Sequence, residues 1–177
     1  MTEDAVTAPV PDRIAKITFP RAGRIQPRDG IVTLLASAED TPCTWVVGPP
    51  GAGKTSAVLS SLSAKRGSVL WYQVDEGDSD PAAFFHYLTL AAARGEAVAN
   101  VRLPPFSPDA NFSVSRFARR FFRELMSAEG GLQIVLDNYQ DVPSDAALHD
   151  IIRVACEEAP LARKFHDRGR RDGQKAL

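Results

Sequence analysis

The chain has 177 residues, 44% of them hydrophobic and 24% charged, with a formal net charge of −1. That length suits about one domain, and the balance is that of a soluble globular protein. A near-neutral chain gives no global attraction to nucleic acid or to an anionic membrane.

The N-terminal MTEDAVTAPVPDR is polar, acidic and proline-containing; it reads as disordered over residues 1–13 and lacks the apolar centre of a signal peptide. No apolar run approaches the roughly 18 to 20 residues that span a bilayer. The two cysteines, Cys43 and Cys156, make no disulfide framework and read as small buried apolar residues in a reducing compartment. These features predict a cytoplasmic chain.

Ile14 to Phe19 predicts a short strand before Pro20. Pro27-Arg28-Asp29 opens a helix carrying Ile31, Val32, Leu34 and Leu35, broken at Thr41-Pro42. Cys43 to Val47 is a near-continuous apolar run, the pattern of a strand buried on both faces. A glycine-rich loop follows, then a helix from Lys54 to about Lys65 with Val58, Leu59 and Leu62 along one side. Gly67 stops it. Val69 to Val74 is a second strand, ending on Asp75-Glu76. Ser79-Asp80-Pro81 starts a helix to about Ala93 that buries Phe84, Phe85, Leu88 and Leu90.

Residues 95–112, with Pro104, Pro105 and Pro108, read as a loop. Val114, Phe117, Phe121 and Leu125 recur at helical spacing over Val114 to Met126, and Arg116, Arg119, Arg120 and Arg123 form the opposite, solvated face. Leu132 to Leu136 is a third strand ending on Asp137. Ser144-Asp145 caps a helix through about Glu158 that uses Leu148, Ile151, Ile152 and Ala155. Strands alternating with helices predict an α/β architecture with a parallel sheet covered on both faces.

Gly48-Pro49-Pro50-Gly51-Ala52-Gly53-Lys54-Thr55 fits the phosphate-loop pattern G-x-x-x-x-G-K-S/T. Glycines let backbone N–H groups turn inward around phosphates where a Cβ would obstruct them. The helix that begins near Lys54 points its free N–H groups at the same place. Lys54 then neutralises the terminal phosphates and Thr55 ligates Mg²⁺. The candidate nucleotide-binding residues are therefore Gly48, Pro49, Pro50, Gly51, Ala52, Gly53, Lys54, Thr55 and Ser56. Asp137, at the end of a buried strand, is the natural partner for the same magnesium.

Asn138 stands where ATP-hydrolysing proteins often carry a second acid. It cannot accept a proton, so hydrolysis is slow unless Asp141, Glu76 or Asp75 substitutes. Asp75 and Glu76 leave their strand at the edge where open α/β sheets bind ligands; a water-positioning role and a merely solvated turn both fit them. Trp45, Trp71 and Tyr72 lie within strands and read as core rather than adenine-stacking groups. His86, His149 and His166 have no metal-ligand spacing.

Three stretches, GPPGAGKT, VLWYQVDEGDSDPAAFFHYL and IVLDNYQDVPSDAALHDIIRVACEEAP, resemble the ATPase module of large bacterial ATP-dependent transcription regulators. These are the maltose-regulon-activator-like, LuxR-type members of the STAND class of P-loop NTPases. The resemblance covers about residues 14 to 160, and Trp71-Tyr72-x-x-Asp75-Glu76-Gly77-Asp78 is more diagnostic than the loop itself. It implies a three-layer α/β/α fold, ATP or ADP with Mg²⁺ as ligands, and Arg28 near the adenine. It also implies a nucleotide-dependent switch, with self-association in the full-length proteins and DNA reading by domains outside this chain.

In that family's sheet a further strand lies between the Asp-bearing strand and the phosphate-loop strand, and it should begin just after Pro160. Residues 161–177, LARKFHDRGRRDGQKAL, are basic and carry no strand pattern. The resemblance therefore implies a partial ATPase domain over 14–160 and a tail outside the fold, as in a truncated or frame-shifted product. A gap there would leave backbone groups unpaired at about 1 to 3 kcal/mol each. A free-standing small P-loop kinase acting on a metabolite is the alternative. Its sheet needs no inserted strand, and Arg163, Arg168, Arg170 and Arg171 would form its lid. A non-functional remnant is compatible with the first reading.

Overall fold

Two runs that suit a pleated, buried surface, Val69–Gln73 (β1) and Gln133–Asp137 (β2), pair in parallel, with Val69 opposite Gln133 and Gln73 opposite Asp137. The computed structural model describes residues 14–20, 29–38, 41–62, 68–95, 98, 100–107, 113–128 and 131–159. Among them the helices are α1 (Asp29–Ser37), α2 (Lys54–Leu62), α3 (Pro81–Arg94), α4 (Val114–Leu125) and α5 (148–159). Parallel strands cannot be joined by a tight turn, and α3 and α4 occupy the crossover from β1 to β2. This is a mixed α/β chain around a small parallel sheet.

Local chemistry fixes the helix starts. Asp80 accepts the backbone N–H of Ala82 at 2.9 Å with Pro81 in the first turn, and Ser113 accepts that of Arg116 at the head of α4. The apolar faces then converge. Leu70 and Tyr72 from one side of β1, with Val74 just beyond it, meet Phe84, Phe85 and Leu88 of α3, Phe121, Phe122 and Leu125 of α4, and Leu148 and Ile151 of α5. Phe85 is the hub, with ring centroids 4.8 Å from Phe117 and 4.9 Å from Phe121, and a stacked contact to Phe106 at 5.4 Å. Each such pair adds about 0.5–1.5 kcal/mol beyond its burial. Val69 and Trp71, on the other side of β1, are buried outside this cluster, with Phe19 edge-on to Trp71.

Four expectations are corrected. Ile14 to Phe19 is not a strand: Ala15–Ile17 forms a 3-10 turn, closed by the Thr18 hydroxyl on the Ile14 carbonyl, which turns Ile17 into the core. Cys43 to Val47 is not a strand buried on both faces. Neither β1 nor β2 offers it a ladder, so Trp45 and Val47 remain 61% and 88% exposed. Trp45 is thus a surface side chain resting edge-on against Tyr139, not core. Helix α5 starts at 148, with Ser144 and Asp145 in the preceding turn.

The arginine side of α4 is only partly a solvated face. Arg119 and Arg123 both donate to the carboxylate of Glu158 on α5, which is 1% exposed. Long arginine stems let the guanidinium groups reach across while their outer edges stay wet. Residues 1–13, Arg28 and 160–177, with the basic tail and the place of a strand after Pro160, lie outside the described residues. Among the described residues no helix is long and apolar enough to cross a membrane.

Candidate functional site

The glycine loop runs from Gly48 into the first turn of α2. Gly51 and Gly53 hold φ of 76° and 78°, the left-handed region that costs a side-chain-bearing residue about 1–2 kcal/mol. Between them Ala52 N–H donates to the Pro49 carbonyl at 3.2 Å, and Ala57 N–H closes the first helical turn on Gly53 at 2.9 Å. The loop therefore curls into the head of α2, where the first N–H groups of a helix have no intrahelical partner. Lys54 folds back over it, donating to the carbonyls of Gly48 at 2.9 Å and Pro49 at 3.2 Å.

Across from the loop stands the carboxyl end of the sheet. The Thr55 hydroxyl donates to Asp137, 3.2 Å from Oδ1 and 3.4 Å from Oδ2, joining residues 82 apart in sequence. Asp137 also accepts the backbone N–H of Asn138, and its carbonyl accepts that of Val74. The ends of β1 and β2 are thus level. Asn138 sits at φ 62°, a left-handed turn residue, and leads into the short helical turn Tyr139–Asp141. Asp141 is exposed, its carboxylate reached by Gln140.

Asp75 and Glu76 follow β1 on this edge and both are exposed. Asp75 accepts the Gly77 N–H and pairs with Lys16. What fixes Asp75 is a network that the sequence did not reveal. Asp78 is fully buried and accepts from Lys16 at 2.8 Å, from the Tyr72 hydroxyl at 2.5 Å and from the Asp75 N–H at 2.9 Å. Burial, then the Asp78 carboxylate, push the Tyr72 hydroxyl far above its ordinary range, so it stays a donor. A buried carboxylate is tolerated only with such partners. The signal was the acid run from Asp75 to Asp80 set against one lysine, Lys16, in an otherwise apolar segment.

So the structure brings Thr55, in the Gly48 to Ser56 stretch, against Asp137, places Asp75 and Glu76 on the same sheet edge, and leaves Arg28 outside the described residues. Among the described residues no cluster of three or more His, Cys, Asp or Glu is arranged to hold a metal by itself.

Comparison with curated proteins finds the HTH-type transcriptional regulator MalT of Yersinia pestis (strain Pestoides F), 29% identical over 136 residues. The resemblance is to transcriptional regulators. MalT of Yersinia pseudotuberculosis serotype O:3 (strain YPIII) matches equally, and MalT of Yersinia enterocolitica serotype O:8 is 27% identical over 134 residues. The matched stretch is 75% of this chain, and the chain spans about 15% of the length of these MalT relatives. No family model matches the chain, and no solved structure does.

Proposed function

We propose that this chain is the nucleotide-holding module of a MalT-like transcriptional regulator, binding ATP or ADP with Mg²⁺ and hydrolysing ATP slowly. The Thr55–Asp137 contact supports this most. A hydroxyl on the first turn of α2 and a carboxylate at the end of a strand meet beside a curled glycine loop, which is the donor set a phosphate-bound magnesium requires. The Gly51 and Gly53 conformations suit the same ligand, because a left-handed φ lets successive backbone N–H groups turn toward one anion.

In this reading Lys54 exchanges its two carbonyl partners for phosphate oxygens. Thr55 and Asp137 hold the metal, which supplies charge neutralisation at the phosphates when bound. Asn138 offers no base, so Asp75, Glu76 and Asp141 are the acids left to orient water, and turnover is slow. Bound nucleotide then sets a regulatory state, while DNA reading belongs to parts of the regulator outside the matched stretch.

A metabolite kinase would need Cys43 to Val47 hydrogen-bonded directly beside β2, and the described residues show no such pairing.

The test is thermal melting with MgATP or MgADP, in the native chain and in Lys54→Ala. At a ligand concentration about 100 times Kd, binding adds about 2.7 kcal/mol, and the shift is lost in Lys54→Ala. An absent shift at millimolar nucleotide, or an equal shift in Lys54→Ala, overturns the proposal. Phosphate transfer to a small acceptor would select the kinase.

A further inference from the structure

Cys43 precedes the glycine loop and Cys156 lies on α5, yet both line one solvent-open cavity of about 400 Å³, walled by Trp45, Tyr139, His149 and Ile152. Both thiols are free and partly exposed, and Cys43 lies close enough to Cys156 to raise its thiol. We propose that Cys43 and Cys156 form a reversible intramolecular disulfide, a redox latch that fastens the segment leading into the glycine loop to helix α5. The position gives the latch its consequence. The segment from Cys43 to Val47 has no strand ladder among the described residues, so a covalent tie at its first residue restrains backbone that no sheet holds. The inference stands independently of what the loop binds.

With hydrogen peroxide as oxidant the chemistry balances. Cys43 Sγ attacks a peroxide oxygen and the O–O bond breaks. The departing hydroxide takes the thiol proton as water and leaves a sulfenic acid on Cys43. Cys156 Sγ then attacks that sulfur, the S–S bond forms, the S–O bond breaks, and the Cys156 proton leaves with hydroxide as a second water. Both thiols are oxidised by one electron each and the peroxide is reduced to water. Burial, then the neighbouring Cys43, push the Cys156 thiol up to about 12, so Cys156 keeps its proton at neutral pH and the first attack falls to Cys43.

The experiment treats the full chain with peroxide under non-denaturing conditions and follows intact mass and thiol alkylation. The expected result is one monomeric species lighter by two hydrogens, both thiols lost in step, a cross-linked peptide pair joining Cys43 to Cys156, and recovery of both thiols with dithiothreitol. In Cys43→Ser, Cys156 is alkylated more slowly than an ordinary exposed thiol, because burial still raises it. In Cys156→Ser, Cys43 stops at a sulfenic acid that dimedone traps. Independent oxidation of the two thiols to oxygenated masses, or cross-links only between chains, would overturn the proposal.

Discussion

Replacing Asp78 by alanine removes the acceptor that three donors share, and the cost follows from where each donor is left. The Tyr72 ring and hydroxyl lie in a fully buried position, so its O–H is orphaned at about 1–3 kcal/mol. The Asp75 N–H loses its partner, and Lys16, whose side chain is 12% exposed, keeps only the more exposed Asp75. Breaking a buried pair of this kind costs about 3–5 kcal/mol in all, a large part of the 5–15 kcal/mol that holds a domain. Urea unfolding followed by the fluorescence of buried Trp71 measures it; with a slope of about 1–3 kcal/mol/M, the midpoint falls by about 1 M or more. Asp78→Asn is milder, because the amide oxygen can face Lys16 and the Asp75 N–H while the Tyr72 hydroxyl turns to accept from the amide nitrogen. Adding Tyr72→Phe to Asp78→Ala removes the orphan, so the double variant costs about 1–3 kcal/mol less than the sum of the singles. A loss below about 1 kcal/mol in Asp78→Ala, or strict additivity with Tyr72→Phe, would refute the reasoning.

Tyr72 also predicts an alkaline transition. Its ionisation is raised in the folded state, so the stability it contributes is complete below its unfolded value of about 10 and declines as pH rises beyond it. The slope is about 1.4 kcal/mol per pH unit, measured as the difference in urea midpoint between the native chain and Tyr72→Phe above pH 10. Glu158→Ala destabilises less than Asp78→Ala, because the freed Arg119 and Arg123 side chains are already 46% and 62% exposed and rehydrate; paired urea titrations at neutral pH check the order.

Elements that carry their own periodicity were legible in the sequence. The Phe84-Phe85-Leu88 stripe of α3 and the Phe121-Leu125 stripe of α4 stand buried where helical spacing put them, because one apolar face decides burial whatever the partner is. Strands were read by composition, and composition does not supply a ladder. Val69 to Gln73 found β2 beside it, whereas Cys43 to Val47, equally apolar, found none and stayed exposed. The loop, Thr55 and Asp137 were legible as a local motif, and their meeting across 82 residues follows the order of strand and helix. Lys16, Tyr72 and Asp78 were not legible as a unit: each looks ordinary alone, and only the fold reveals that one buried carboxylate satisfies all three neighbours. The two thiols were missed for the same reason, since nothing local joins Cys43 to Cys156.

The left-handed turn at Asn138 has an evolutionary corollary. Asparagine and aspartate both accept that backbone conformation far better than other side-chain-bearing residues, and they differ only in the amide nitrogen that replaces one carboxylate oxygen. The bend after β2 therefore already accommodates an aspartate without rebuilding, and one substitution separates this chain from a version carrying adjacent carboxylates at the strand's tip. In the proposed nucleotide role, selection has a short path between slow and fast turnover.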